Sequence, residues 1–156
     1  MIHKKLTLKK SWVWEKETED LIKSYLTRGK ILNLASGTSL LGDERVDADE
    51  NNLNATIHKD IFEYETEPIW DNVISDPPWH LNFYQRPKWF FKCVTSCKLG
   101  GKIIYNATWI PESRATQLDE TIIRASARYA NASIISVFTK ISSDFDSWKP
   151  SVKKED

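Results

Sequence analysis

The stretch "ISDPPWHL", residues 74–81, places an acid, two adjacent prolines and a tryptophan at the end of the apolar run "NVIS". Proline fixes φ and removes a backbone donor. The carboxylate of Asp76 and the carbonyls of Asp76 and Pro77 therefore form a stiff set of oxygen acceptors, with Pro78 holding the corner. Such a set suits an amino group. Two hydrogen bonds accepted from an –NH₂ pull its lone pair out of conjugation with a ring and make the nitrogen nucleophilic. Trp79 adds a flat face on which a base can stack, worth ~1–3 kcal/mol. The chemistry implied is activation of an exocyclic amine on a planar heterocycle.

Three other segments carry candidate ligand contacts. In "NLASGTSLLG" the small residues let a backbone approach a ligand closely, and Gly37 can take positive φ. In "VDAD" an acid follows a short apolar run, soon after that glycine-bearing loop. This is the usual partner of ribose hydroxyls, with Asp47 the first choice and Asp49 the second. In "HKDIFE", Asp60 can accept from an exocyclic amine while Ile61 flanks an adenine ring. His58 reads as a surface or satisfied histidine. Cys93 and Cys97, spaced for one helix face, read as reduced thiols of a cytosolic protein. No further Cys or His cluster completes a tetrahedral set, so no metal is expected.

These residues need a scaffold that gathers them. The apolar spacing of "WEKETEDLIKSYLTRG" predicts a helix ended by Gly29 as its C′ residue. Short strands are predicted at "KILNLASG", "ERVDAD", "ATIHKDIF", "WDNVISD", "KIIYNA" and "ASIISVFTKI". A second helix is expected over 87–97, a turn at "LGG" (99–101), and a third helix over 113–129 with Leu118, Ile122 and Ile123 facing inward. Strands alternating with helices imply a mostly parallel sheet covered on both faces. Open sheets of that kind bind ligands at the carboxyl ends of their strands.

Bulk properties set the frame. The 156 residues are 40% apolar and 28% charged, with a formal net charge of zero, which fits one soluble domain with no global basic field. Seven tryptophans exceed what a small core usually needs, so one or two are expected to face a ligand. "MIHKKLTLKK" lacks the apolar core of a signal peptide, and no run approaches the length of a membrane span. An intracellular, cytoplasmic protein is the expectation. The tail from Ser142, ending in "KKED", reads as polar and frayed.

In order and kind, these segments resemble the class I S-adenosylmethionine-dependent methyltransferases that modify the N6 amino group of adenine. "DPPW" looks like that family's catalytic motif. "ILNLASGT" is similar to its first motif, "VDAD" to its acidic second motif, "KDIF" to its adenine-contacting segment, and "LGGKIIY" to the turn before its fifth strand. The likeness covers about Gly29 to Ile141. It implies a compact Rossmann-like, doubly wound α/β fold in a single domain, 1–156, with abbreviated connecting helices and no separate target-recognition domain. The family's last antiparallel strand is not evident after Ile141.

The resemblance further implies that Leu34, Ala35, Ser36, Gly37 and Thr38 approach the methionine part of S-adenosylmethionine. Asp47 would hold the ribose, and Asp60 and Ile61 would frame the adenine. Asp76 and Pro77 would bind the target amine, and Trp79 would stack on a base flipped out of a duplex. Ala35, Ser36 and Ser39 stand where that family commonly has glycine. DNA is the expected substrate, with RNA the alternative. A degenerate, non-catalytic cofactor-binding subunit is the reading from another class. "HLNFYQRPKWFFK" (80–92) could contact phosphates and stack a base, although Trp89 and Phe90 read first as the buried side of a helix. Lys4, Lys5, Lys9 and Lys10 form a basic arm. A homodimer would double such weak contacts, and so compact an enzyme would suit a virus or mobile element.

Overall fold

The computed structural model describes residues 3–5, 14–126 and 129–144. Two helices, α1 (Lys16–Tyr25) and α2 (Gln85–Ser96), accompany eight strands. The strands are β1 (His3–Lys5), β2 (Ile31–Leu34), β3 (Glu44–Asp47), β4 (Ile57–His58), β5 (Trp70–Ser75), β6 (Cys97–Ala107), β7 (Thr116–Ser126) and β8 (Tyr129–Lys140). They form one sheet in the order β1-β7-β8-β6-β5-β2-β3-β4. Every pairing is parallel except those of β8, which runs antiparallel to both β6 and β7. The result is an α/β, Rossmann-like, mostly parallel sheet.

Alternation along the strands divides the core between two faces. Val73 and Ile103 pack with Trp89, Phe90, Cys93 and Val94 of α2. Their neighbours Ile74 and Ile104 pack with Ile22 of α1, together with Ile122 and Ile135. In α2 the buried residues Trp89, Phe90, Cys93, Val94 and Ser96 fall at i, i+1, i+4, i+5 and i+7, one stripe of the helix. Cys97 caps the end of α2 and opens β6. Burial pushes the thiols of Cys93 and Cys97 up to about 12, so both are held as neutral SH groups.

Several expectations are corrected. The segment 113–129 is not a helix. Thr116, Thr121, Ile122 and Ile123 are β-branched and favour extended backbone, and pairing along β8 satisfies their backbone groups. Ile122 and Arg124 point inward two residues apart, while Leu118 is exposed. The last antiparallel strand is present. It is β8, built from "ASIISVFTKI" itself, and a second strand, β7, lies where the helix was expected. "LGG" is not a free turn but part of β6, where the pairing to β5 shifts register between Trp70 and Asn72. Gly29 is not the C′ residue of α1. That helix ends at Tyr25 with an extended Leu26. Gly29 takes φ 138° further on, where a Cβ would collide with the Asp71 carboxylate.

The connections are short, as expected. Nine residues, 35–43, join β2 to β3 with no intervening helix. Lys9 and Lys10 of the basic arm, and the "KKED" tail, lie outside the described residues; Lys4 and Lys5 belong to β1, which pairs parallel with β7.

Candidate functional site

Register brings the site together. Leu34, the last residue of β2, is paired with Ser75, the last of β5, and with Val46 of β3. The Ser75 hydroxyl donates to the Leu34 carbonyl at 3.0 Å and accepts the indole N–H of Trp89 at 2.8 Å. The loop after β2 and the "DPPW" corner after β5 therefore leave the sheet side by side, at the point where strand order reverses. A cavity of about 510 Å³ opens there, within the range of small-ligand sites. Ala35, Ser36, Gly37 and Thr38 line it with Asp47, Asp49, Asp76 and Pro78.

The loop 35–39 is shaped by three partners. Gly37 sits at φ 54°, and Ala35 also takes a left-handed φ of 62°, a place glycine would occupy without strain. The Asp47 carboxylate accepts the Gly37 N–H at 2.8 Å through one oxygen and the Asp49 N–H at 2.9 Å through the other. Asn52 donates its side-chain amide to the Gly37 carbonyl, and Asn54 donates to the Thr38 carbonyl at 2.8 Å. The segment after β3 thus clasps the loop after β2. Because the left-handed Ala35 is strained, Ala35→Gly is expected to stabilise the fold by about 0.5–1 kcal/mol, read as a higher urea midpoint.

Asp76 stands at the opposite wall. Its Oδ2 accepts the Trp14 indole N–H and its Oδ1 the Asn106 side-chain amide, each at 3.1 Å. Burial raises the carboxyl to about 6, against the pull of Trp14, Asn106 and the charge of Arg124, which favour the ionised form. Trp79 is half-buried beyond Pro78 and is not among the residues lining the cavity. Pro77 and Leu34 are buried beneath the lining.

The structure does not bring Asp60 and Ile61 to this cavity. Ile61 is packed in the core, and Asp60 is an exposed turn residue whose carboxylate accepts the Phe62 N–H at 2.8 Å. His58 is exposed, with Nδ1 3.0 Å from the Asp49 carbonyl. On the far side of the corner, Phe83 and Tyr84 are strongly exposed, and the Arg86 guanidinium lies 4.1 Å over the Trp109 ring and 5.1 Å over Phe83.

Sequence reasoning missed Trp14, Asn106, Asn52 and Asn54. The crowding of Asp and Asn in "DENNLN" after an acidic strand end was a legible sign of side chains that cap turns. Trp14 and Asn106 gave no local sign, since they reach Asp76 from 62 and 30 residues away. Among the described residues no helix is long and apolar enough to cross a membrane.

No family model and no curated protein matches the sequence. Solved structures do match the fold. TrmN from Thermus thermophilus superposes with a TM-score of 0.63 at 14% identity, over 79% of this chain and 48% of its own, so the present chain spans about half that protein. The N-methyltransferase NodS from Bradyrhizobium japonicum, in complex with S-adenosyl-L-homocysteine, gives 0.66 at 10% identity, over 81% of this chain and 87% of its own. The 1,6-didemethyltoxoflavin-N1-methyltransferase of Burkholderia thailandensis, bound to its substrate and S-adenosylhomocysteine, gives 0.60 at 8% identity, over 81% and 78%. The chain is thus similar in fold to class I methyltransferases, including two with the demethylated cofactor bound.

Proposed function

We propose that this chain is an S-adenosylmethionine-dependent methyltransferase that acts on the N6 amino group of adenine in DNA. The observation that supports the reading is the shared cavity: Asp76 and Pro78 of the "DPPW" corner line the same space as Gly37 and Asp47. The residues present fit the cofactor. Its volume suits the cavity, the left-handed Ala35 and Gly37 allow close backbone approach, and Asp47 keeps carboxylate lone pairs beyond the two it commits to backbone N–H groups.

When bound, S-adenosylmethionine supplies an electrophilic methyl on a sulfonium. The protein's own part is to bind and orient. Asp47, with Asp49 beside it, accepts the ribose hydroxyls. Loop 35–38 lies along the amino-acid part, and the lip at Asn51–Asn54 receives the adenine end. Asp76 accepts an N–H of the target amine, the Pro77 carbonyl accepts the other, and Trp79 stacks on the base. Positioning of this kind removes much of a bimolecular barrier. The exposed Phe83 and Tyr84, beside Arg86, are suited to stacking and phosphate contact with the flanking strand. A second copy of the chain would extend that small surface.

The test is incubation with methyl-labelled cofactor and either duplex DNA or structured RNA, then digestion to nucleosides. Labelled N6-methyldeoxyadenosine is expected. Label in N6-methyladenosine alone would move the substrate to RNA. No transfer to either, despite cofactor binding, would leave a non-catalytic cofactor-binding subunit.

A further inference from the structure

The loop that follows the amine-binding corner carries two aromatic rings that the core does not use. Phe83 and Tyr84 are 82% and 84% exposed, and no other phenylalanine, tyrosine or tryptophan among the described residues is exposed to that degree. The loop itself is closely hydrogen-bonded. Leu81 is buried, and its N–H donates to the Pro78 carbonyl at 3.2 Å. The Asn82 side chain accepts the Tyr84 and Gln85 N–H groups at 3.0 and 2.9 Å, and Gln85 Oε1 accepts the Asn82 N–H at 3.3 Å. Arg86 Nε donates back to the Leu81 carbonyl at 2.9 Å. Its guanidinium lies 4.1 Å over the Trp109 ring and 5.1 Å over Phe83, which ties this loop to the one after β6. The Nη groups of Arg86 have no partner among the described residues.

Single exposed apolar side chains are ordinary, but two adjacent rings displayed on an ordered loop mark a binding surface. Shape and charge set what they fit. A flat ring gains most from another flat face. A guanidinium covered on its faces by rings still offers its in-plane donors to an oxyanion. Flat faces alternating with oxyanions are the repeat of a nucleic-acid strand. In a duplex those faces are covered by neighbouring base pairs and the N6 amine is engaged in pairing, whereas a single strand presents both without extrusion. Duplex binding without stacking leans on many phosphate contacts. Here the chain has a formal net charge of zero, and the first turn of α2 brings Arg86 and Lys88 with no acid. We propose that this surface takes a single strand of DNA: Phe83 and Tyr84 stack on bases next to the target adenine, and Arg86 holds one phosphate. The inference deepens the proposed function and rests on it for the adenine amine, but not for strand binding.

The test is fluorescence anisotropy with a short labelled deoxyoligonucleotide containing one adenine, free and annealed to its complement, at several salt concentrations. The single strand is expected to bind at least about ten-fold more tightly than the duplex, the scale of one base stacked on a ring. Phe83→Ala and Tyr84→Ala should each weaken the single strand by roughly 5–100-fold, and Phe83→Trp should keep most of the affinity. Both side chains are exposed, so neither change threatens the fold. Cofactor affinity should stay as in the parent, since neither ring lines the cavity. Arg86→Gln should lower the slope of log affinity against log salt by about 0.7, the share of one phosphate on a single strand. A duplex bound as tightly as the single strand, or single-strand affinity unchanged in both alanine variants, overturns the proposal. Strand binding with these variant effects but no methyl transfer sinks the proposed function and leaves this surface standing. Methyl transfer to duplex DNA with no preference for the single strand does the reverse.

Discussion

Asp76→Asn is expected to lose methyl transfer by roughly 10²–10³-fold, the scale on which a single preorganised polar partner of the reacting atoms acts, while the protein becomes more stable at neutral pH. The two effects share one cause. Asp76 is held by Trp14 and Asn106 in a site whose burial raises its carboxyl from 3.8 to about 6. A raised carboxyl holds its proton more tightly in the folded state than in the unfolded one. Its stabilising contribution is complete below about 3.8 and is lost as pH rises through about 6. Above that, the folded protein carries a charge in a poor environment. A difference of about two units corresponds to up to roughly 3 kcal/mol, reduced to roughly 1–2 because the carboxylate opens onto the cavity. Asparagine removes the charge and keeps the shape. One of its atoms becomes a donor, which Asn106 can accommodate by turning its amide, because its Oδ1 is unpartnered. Urea melts at pH 7.5 and 4.5 check this. The variant should exceed the parent at pH 7.5 and lose most of that advantage at pH 4.5. An equal offset at both values, or full activity, would contradict it.

Asp47→Ala is expected to weaken cofactor binding by roughly 10–100-fold, because hydrogen bonds to a charged group contribute about 1.5–3 kcal/mol each. The carboxylate acts twice here. It orders loop 35–39 through the Gly37 N–H, and in the proposed function its remaining lone pairs would accept the ribose hydroxyls. Asp47→Asn retains one acceptor oxygen and should fall between parent and alanine. Asp49→Ala, whose carboxylate serves only the Asn51 N–H among the described residues, should change affinity a few-fold at most. Calorimetric titration of each variant separates these outcomes. Unchanged affinity in Asp47→Ala would remove this residue from the site.

What the sequence made legible is local. The strand ending in "DPPW", the small-residue loop after β2, the acid after β3 and the buried stripe of α2 each declare themselves within ten residues. Pairing Leu34 with Ser75 follows from their being strand ends of a parallel sheet. β7 was not legible as a strand because "TQLDETIIRAS" has helix-compatible apolar spacing, and what decides it is the partner β8, two residues past its end. The glycine-poor first loop was readable as a departure. Its consequence, a left-handed Ala35 in a loop that Asn52 and Asn54 clasp at the Gly37 and Thr38 carbonyls, needed the fold. Asn106 comes to Asp76 through sheet order and Trp14 through the packing of the α1 face, neither of which any window of sequence contains. Asp60 and Ile61 were assigned by likeness of order, and the chain instead uses Ile61 for packing.

The proposal that one cavity holds both the cofactor and the amine-binding acid is tested most directly by titrating S-adenosylmethionine into the protein and into Asp76→Asn in a calorimeter. Binding at one site per chain, retained in Asp76→Asn and weakened in Asp47→Ala, is the expected result. No detectable heat at millimolar cofactor, in a protein shown to be folded, would contradict it.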